Sequence, residues 1–232
     1  MSGLLFPAPQ VKSVPVLGED AQYPVHRIFC VGRNYAAHAA EMGVEVDREA
    51  PFYFTKSPQA AEATGATVAY PPGTSNYHYE MELVIAIGAP VFKADKAAAA
   101  KVIFGFCCGL DMTRRDLQLA ARATQRPWDL GKDVEQSAIF APLTKVVAFG
   151  PVADQRIHLE VNGEVKQDAL LSDLIWKVEE LVSHLSKFYH LAPGDLIMTG
   201  TPAGVGAVLA GDVITGGIDG LAPIKLTVGP AE

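Results

Sequence analysis

The chain has 232 residues, 49% of them hydrophobic, with 21 glycines, 16 prolines and a formal net charge of −7. That is enough apolar material for one substantial core with many turns. The acidic balance, with no basic cluster beyond two or three residues, argues against nucleic acid or an anionic membrane as a main partner.

Residues 1 to 25 read as a polar, proline-rich lead-in, and residues 26 to 232 as one catalytic-sized domain. Met1 to Pro7 lacks a basic n-region and a long apolar h-region, so no signal peptide is expected. Arg27 to Gly32 reads as a strand. Asn34 to Gly43 reads as a short helix, with Asn34 as N-cap and Gly43 as its stop. Phe52 to Thr55 and Thr67 to Tyr70 are further strands. Tyr79 to Gly88 is apolar on both faces except for Glu80 and Glu82, so it predicts a strand buried on both sides. Ala97 to Ala100 is a short helical run, and Val102 to Asp111 a second apolar strand ending on a carboxylate. Thr113 predicts the N-cap of the next helix, with Asp116 in its first turn. Asn162-Gly163 marks a type I′ hairpin within Ile157 to Val165. Ser172 to His190 carries one apolar stripe and predicts the longest helix. Leu196 to Thr199 and Ile224 to Val228 return as strands. Strands dominate and helices are few, so the expected class is α+β, mainly β, with a sheet roll. No apolar run reaches the ~20 residues that span a bilayer. Cys30, Cys107 and Cys108 make a poor disulfide framework and suit core packing in a reducing cytoplasm.

The chemistry-bearing residues begin with Glu80 and Glu82. Side chains two apart in a strand share a face. Two carboxylates side by side in a buried sheet need a shared cation, or a proton on one of them. A hard divalent ion such as Mg²⁺ or Mn²⁺ meets that need, and Asp111 offers a third oxygen ligand. The other reading is an edge strand with both glutamates in water. His38 and Glu41 are three apart on the short helix, as a general base and its orienting carboxylate need to be. An ordinary surface pair has the same spacing. Thr199 to Gly206 is a glycine-rich loop after a strand, without the Lys-Ser/Thr ending of a phosphate-binding loop. Its N–H groups and hydroxyls suit a small carboxylate, or serve only a tight turn. Lys56, Arg115 with Gln118, and Lys132 are the cationic and polar candidates for an anion-binding site, although most such side chains are solvated. His78 beside the glutamates is expected at the rim of the site. His26, His158, His184 and His190 carry no local signal.

Together these pieces resemble the fumarylacetoacetate hydrolase family. The likeness runs through Cys30-Val31-Gly32-Arg33-Asn34-Tyr35 with His38 and Glu41, Tyr79-Glu80-Met81-Glu82-Leu83, Leu110 to Gln118, Pro127-Trp128 to Lys132, and Thr199-Gly200-Thr201-Pro202 with Gly204-Val205-Gly206. These pieces stand in the family's order from about residue 25 onward. The resemblance implies a mixed β-sandwich roll, usually a homodimer, with Mg²⁺ or Mn²⁺ held by Glu80, Glu82 and Asp111. It implies cleavage or decarboxylation of small 2-oxo or 1,3-dioxo acids, with the ion acting as an electron sink at the pyruvyl end. His38 with Glu41 would activate a water, Lys132 would stabilise the developing oxyanion and Gln118 would orient the reacting groups. Arg33, Lys56, Arg115, Gly200 and Thr201 would hold the substrate. The His38 helix resembles the family's lid. The short chain, Phe6-Pro7-Ala8-Pro9 and Phe29 to Tyr35 look most like members that cleave 3-fumarylpyruvate to fumarate and pyruvate. One departure is Gly131-Lys132-Asp133-Val134, where many relatives carry Ser-Phe after the lysine.

Two other readings share this site. One is a lyase decarboxylating oxaloacetate, which needs no attacking water. The other is a non-catalytic, metal-bound or ligand-binding relative. Arg48, Arg122 and Arg126 are available for a second substrate carboxylate and are unassigned.

Overall fold

Met81–Ile87 is buried at every position in the computed structural model of the chain, which describes residues 3–41, 43 and 50–231. The strand's period of two explains why an apolar run forms here. Met81, Leu83, Ile85 and Ile87 point into one core, while Val84 and Ala86 point into a second core behind the sheet.

This strand lies inside an eight-stranded mixed sheet, antiparallel to both Asp195–Met198 and Ile103–Asp111. Arg27–Gly32 runs parallel to Asp195–Met198, and Phe52–Lys56 forms the edge beyond it. Ala138–Phe140 and Ala61–Ala63 continue the other side. A five-stranded sheet faces the first core, with Arg156–Val161, Val213–Ile218 and Ile224–Ala231 at its centre. A small three-stranded sheet joins Tyr77–Tyr79 to Thr113–Arg114 and Gly206–Val208 at the site's end of the molecule. The architecture is the expected α+β, mainly β, mixed sandwich roll. In the hairpin, Asn162 and Gly163 both have positive φ, 53° and 82°, as a type I′ turn requires.

Three local expectations are corrected. The apolar stripe over Ser172 to His190 contains a helix only at Val178–Leu185. Ahead of it the backbone is tied elsewhere: Ile175 N–H donates to Asn34 O at 2.9 Å and Trp176 N–H to Asn34 Oδ1 at 2.7 Å. Asn34 is therefore not a helix cap. Its amide also donates to the carbonyls of Trp176 (3.1 Å) and Thr199 (2.8 Å), tying the entry of the Ala36–Glu41 helix to two remote loops. The lead-in, lastly, is packed from residue 13 onward. Ser13–Pro15 and Gln22–Pro24 pair antiparallel, and Val14, Val16, Tyr23 and Val25 close the second core.

No helix among the described residues is long and apolar enough to cross a membrane. Cys30, Cys107 and Cys108 are all buried and unpaired, as expected for core packing.

Candidate active site

The chain breaks between the Tyr77–Tyr79 and Met81–Ile87 strands, and Glu80 sits in the break. Glu82 lies just inside the second strand, while Asp111 ends its antiparallel neighbour, where its N–H donates to the Glu80 carbonyl at 2.9 Å. Pairing of Met81 with Leu110 and Glu82 with Gly109 therefore delivers all three acids to one place. Each offers a carboxylate oxygen, all within 4.8 Å of one another, and all three residues are buried.

Three cations face them. Lys132 Nζ donates to Glu80 Oε2 at 2.8 Å, Asp111 Oδ2 at 2.7 Å and Thr113 Oγ1 at 2.7 Å. Arg115 donates to Glu80 Oε1 and to Gln118 Oε1. Lys56 Nζ lies 2.9 Å from Asp111 Oδ1 and donates to Met112 O (3.0 Å), Ser137 Oγ (2.7 Å) and the Lys132 carbonyl. Burial alone pushes the Glu80 carboxyl up, but Lys132 and Arg115 outweigh it and hold it well below the usual range. Burial also disfavours the Lys132 ammonium, and Asp111 and Glu80 more than restore it. Glu82 is different. Its Oε2 accepts the Gly200 N–H at 2.7 Å, yet burial, then Asp111 and Glu80, push its carboxyl well above the usual range.

That imbalance is what a divalent ion corrects. Asp111 Oδ1 makes no hydrogen bond despite the nearby ammonium, and Glu82 has a backbone amide where the other two acids have cations. Three buried oxygen donors of this kind suit Mg²⁺ or Mn²⁺.

The Arg115–Ala123 helix and the short Asp129–Lys132 helix frame the site. Arg114, not Thr113, stands at the first helix's N-cap position, and it makes no side-chain cap bond. Thr113 instead donates its hydroxyl to Asp111 O at 3.1 Å and accepts from Lys132. Gly131 lets the two helices touch: a Cβ there would lie 2.8 Å from Gln118 N. In the Gly131-Lys132-Asp133-Val134 departure, Asp133 Oδ1 accepts the Ser57 N–H at 2.8 Å and Val134 is buried.

On the opposite wall, His38 Nδ1 meets Glu41 Oε2 at 3.1 Å. Both Glu41 oxygens also accept the Gly204 N–H at 3.2 Å, joining the helix to the glycine-rich loop. Behind that loop lies Gln167, fully buried and absent from the expected residues. Its amide donates to Thr201 Oγ1 and Pro202 O, both at 2.8 Å, and its Oε1 accepts the Met81 N–H at 2.9 Å. A lone Gln in the polar run Glu164 to Asp168 gives no signal of this in the sequence. Gln167→Leu strands the buried Met81 N–H and is expected to destabilise the fold by about 2–3 kcal/mol, read from the urea unfolding midpoint. An unchanged midpoint would mean water replaces the amide.

The site opens into a cleft. Arg33, His38, Glu80, Glu82, Arg115, Gln118, Lys132 and Thr201 line it, together with Arg122, which the sequence left unassigned, and Phe52, Phe54, Leu119 and Trp128, which it did not single out for the site. Two expected substrate contacts have other duties. Lys56 is buried beneath Asp111, and the Gly200 N–H is committed to Glu82. Lys132 has an acceptor for each of its N–H bonds, so its aid to an oxyanion is its charge. Gln118 accepts the Arg115 guanidinium at its Oε1, which leaves its amide N–H groups as the donors it can offer. His78 sits at the rim, bonded to Asn76 Oδ1 at 2.8 Å, and burial and then Arg115 lower its pKa to about 4. Arg126 is exposed and lines a neighbouring groove. Arg48 and most of the Gly43 to Pro51 loop lie outside the described residues.

The family model for the fumarylacetoacetate (FAA) hydrolase C-terminal domain matches residues 27–229. A fumarylpyruvate hydrolase of a Ralstonia species is 58% identical over 194 residues, covering 82% of this chain and 100% of the relative. A mitochondrial oxaloacetate tautomerase of Arabidopsis thaliana is 39% identical over 205 residues, 87% of this chain and 90% of the relative. The crystal structure of fumarylpyruvate hydrolase from Pseudomonas aeruginosa in complex with Mn²⁺ and pyruvate superposes with a TM-score of 0.94 at 46% identity, covering 98% of this chain and 100% of that one.

Proposed function

The chain belongs to the fumarylacetoacetate hydrolase family, and from that premise we propose that it hydrolyses the C–C bond of an acylpyruvate, 3-fumarylpyruvate, to fumarate and pyruvate. The observation that carries this reading is the meeting, in one cleft, of a His–Glu pair with three buried carboxylates and their cations.

Glu80, Glu82 and Asp111 hold Mg²⁺ or Mn²⁺, which when bound supplies Lewis-acid polarisation of the 2-oxo acid. Three carboxylates already face three cationic side chains, so a divalent ion leaves the pocket positive and suited to an anionic substrate. Glu41 accepts at His38 Nδ1, which leaves Nε2 unprotonated to take a proton from water. The water oxygen adds to the 4-carbonyl carbon, and the amide of Gln118, with the charge of Lys132, stabilises the resulting oxyanion. The C3–C4 bond then breaks, its electron pair stays with the pyruvyl half, and C3 gains a proton to give the pyruvate methyl. Arg33, Arg115 and Thr201 orient the substrate's oxygens. Glu41, Lys56 and Gly200 act through their neighbours as positioning residues.

In this reading residues 26 to 232 are the catalytic domain and the protein is a cytoplasmic homodimer. Buried, unpaired cysteines accord with a reducing compartment. Proton NMR of the products, with purified protein and Mg²⁺, tests it. The expected result is rapid formation of fumarate and pyruvate from 3-fumarylpyruvate, with far slower change in oxaloacetate. Intact fumarylpyruvate beside fast decarboxylation or keto–enol exchange of oxaloacetate would transfer the site to those reactions.

A further inference from the structure

Arg115, Gln118 and Arg122 stand at i, i+3 and i+7 on the Arg115–Ala123 helix, so they share one face, and all three line the cleft. At 1.5 Å rise per residue, the Arg122 Cα lies about 10 Å further along the axis than that of Arg115. Arg115 marks the carboxylate floor through its bond to Glu80. Arg33 lines the same cleft. Its backbone is held in the left-handed region at φ 58°, a strain of about 1–3 kcal/mol for a residue with a side chain. Its guanidinium carbon lies 5.3 Å from the centre of the Phe52 ring. Arg33 and Arg122 both line the cleft, and burial, then the charge of Arg122, lower the Arg33 pKa, so the two positive charges act on the same space. Beside Gln118 the lining carries an apolar group of side chains: Phe52 and Trp128 meet edge to face with ring centres 5.5 Å apart, with Phe54 and Leu119 also in the lining.

A charged floor, an apolar group and two further cations describe the complement of a long dianion. We infer that Arg122, with Arg33 from the same cleft lining, binds the distal carboxylate of a dicarboxylic acylpyruvate, and that the separation of Arg122 from Arg115 along their helix selects a seven-carbon chain over shorter or neutral ones. In 3-fumarylpyruvate six C–C bonds separate the carboxyl carbons, and in oxaloacetate only three. This inference rests on the hydrolase reading of the same cleft.

Steady-state hydrolysis of 3-fumarylpyruvate and of acetylpyruvate, which lacks the distal carboxylate, tests it in the Mg²⁺-loaded enzyme. Arg122→Gln and Arg33→Gln are each expected to lose about 10–100-fold more kcat/KM on fumarylpyruvate than on acetylpyruvate, mostly through KM, as loss of a charged hydrogen bond does. Arg122→Lys restores part of the loss. Equal losses on both substrates, or a wild-type enzyme that prefers acetylpyruvate, overturn the inference while leaving the hydrolase reading in place. A wild-type enzyme that cleaves neither substrate overturns the hydrolase reading, and the inference falls with it.

Discussion

His38→Ala is expected to slow acylpyruvate hydrolysis by about 10²–10⁴-fold, the range a positioned general base contributes. The loss should fall on kcat, because the roles proposed above leave substrate binding to Arg33, Arg115 and Thr201. Glu41 anchors the imidazole from one side at 3.1 Å and takes the Gly204 N–H on the other, so the ring is held where a water could be activated. His38 is only 7% exposed, but it lies on a six-residue helix whose core contact is Ala39, so its removal leaves the fold intact. The melting temperature should move by no more than a few degrees, roughly what a change under 1 kcal/mol produces. Glu41→Gln should show a smaller loss in the same direction. Hydrolysis followed by NMR in the variants decides the matter. Full activity in His38→Ala would place the base elsewhere, with His78, already held neutral by burial and Arg115, as the next residue to change. Oxaloacetate decarboxylation, if the site supports it, needs no attacking water and should survive the substitution.

How much of this was legible in the sequence depends on how local the cause is. The Glu80/Glu82 pair was readable because strand period and flanking apolar residues are adjacent to it, and the structure buries it as those features require. Asp111 followed from its place at a strand end. For His38 and Glu41 helical spacing allowed an ordinary surface pair as well, and it was the family resemblance that singled them out. Apart from Thr113, which misses the N-cap position by one residue, the failures are long-range. Asn34 looks like a cap because capping is the local use of asparagine, but its partners lie 142 and 165 residues away. The Ser172 to His190 stripe looks helical throughout, yet it opens in a short 3-10 turn, Leu171–Asp173, and the stretch before Val178 is held out of the helix by those same bonds. Lys56 looks like a surface lysine or a substrate ligand. Only the pairing of its strand with Arg27–Gly32, and of that with the central sheet, places it under Asp111. The aromatic lining of the cleft comes from Phe52, Phe54 and Trp128, which no spacing rule brings together.

Lys132→Met tests the electrostatic account without using turnover. Methionine keeps most of the side chain's volume and its packing over the Phe54 ring, which the ammonium meets at 4.9 Å. What it removes is, among the described residues, the one cation that touches both Glu80 and Asp111. Arg115 and Lys56 remain, one for each acid, but two buried carboxylates then stand over a raised Glu82 carboxyl with less positive charge between them. Breaking buried ion pairs from one side costs about 3–5 kcal/mol, and that loss is expected in the urea unfolding midpoint of chelator-treated protein. A ligand that binds only the folded state stabilises it by mass action. Mg²⁺ binding to Glu80, Glu82 and Asp111 relieves the same repulsion, so saturating Mg²⁺ should raise the variant's midpoint by more than it raises that of the wild type. If the metal-free variant is as stable as the wild type, the carboxylates are neutralised by protons rather than by Lys132, and the charge balance drawn above is wrong. If Mg²⁺ shifts neither protein, these three acids are not its ligands.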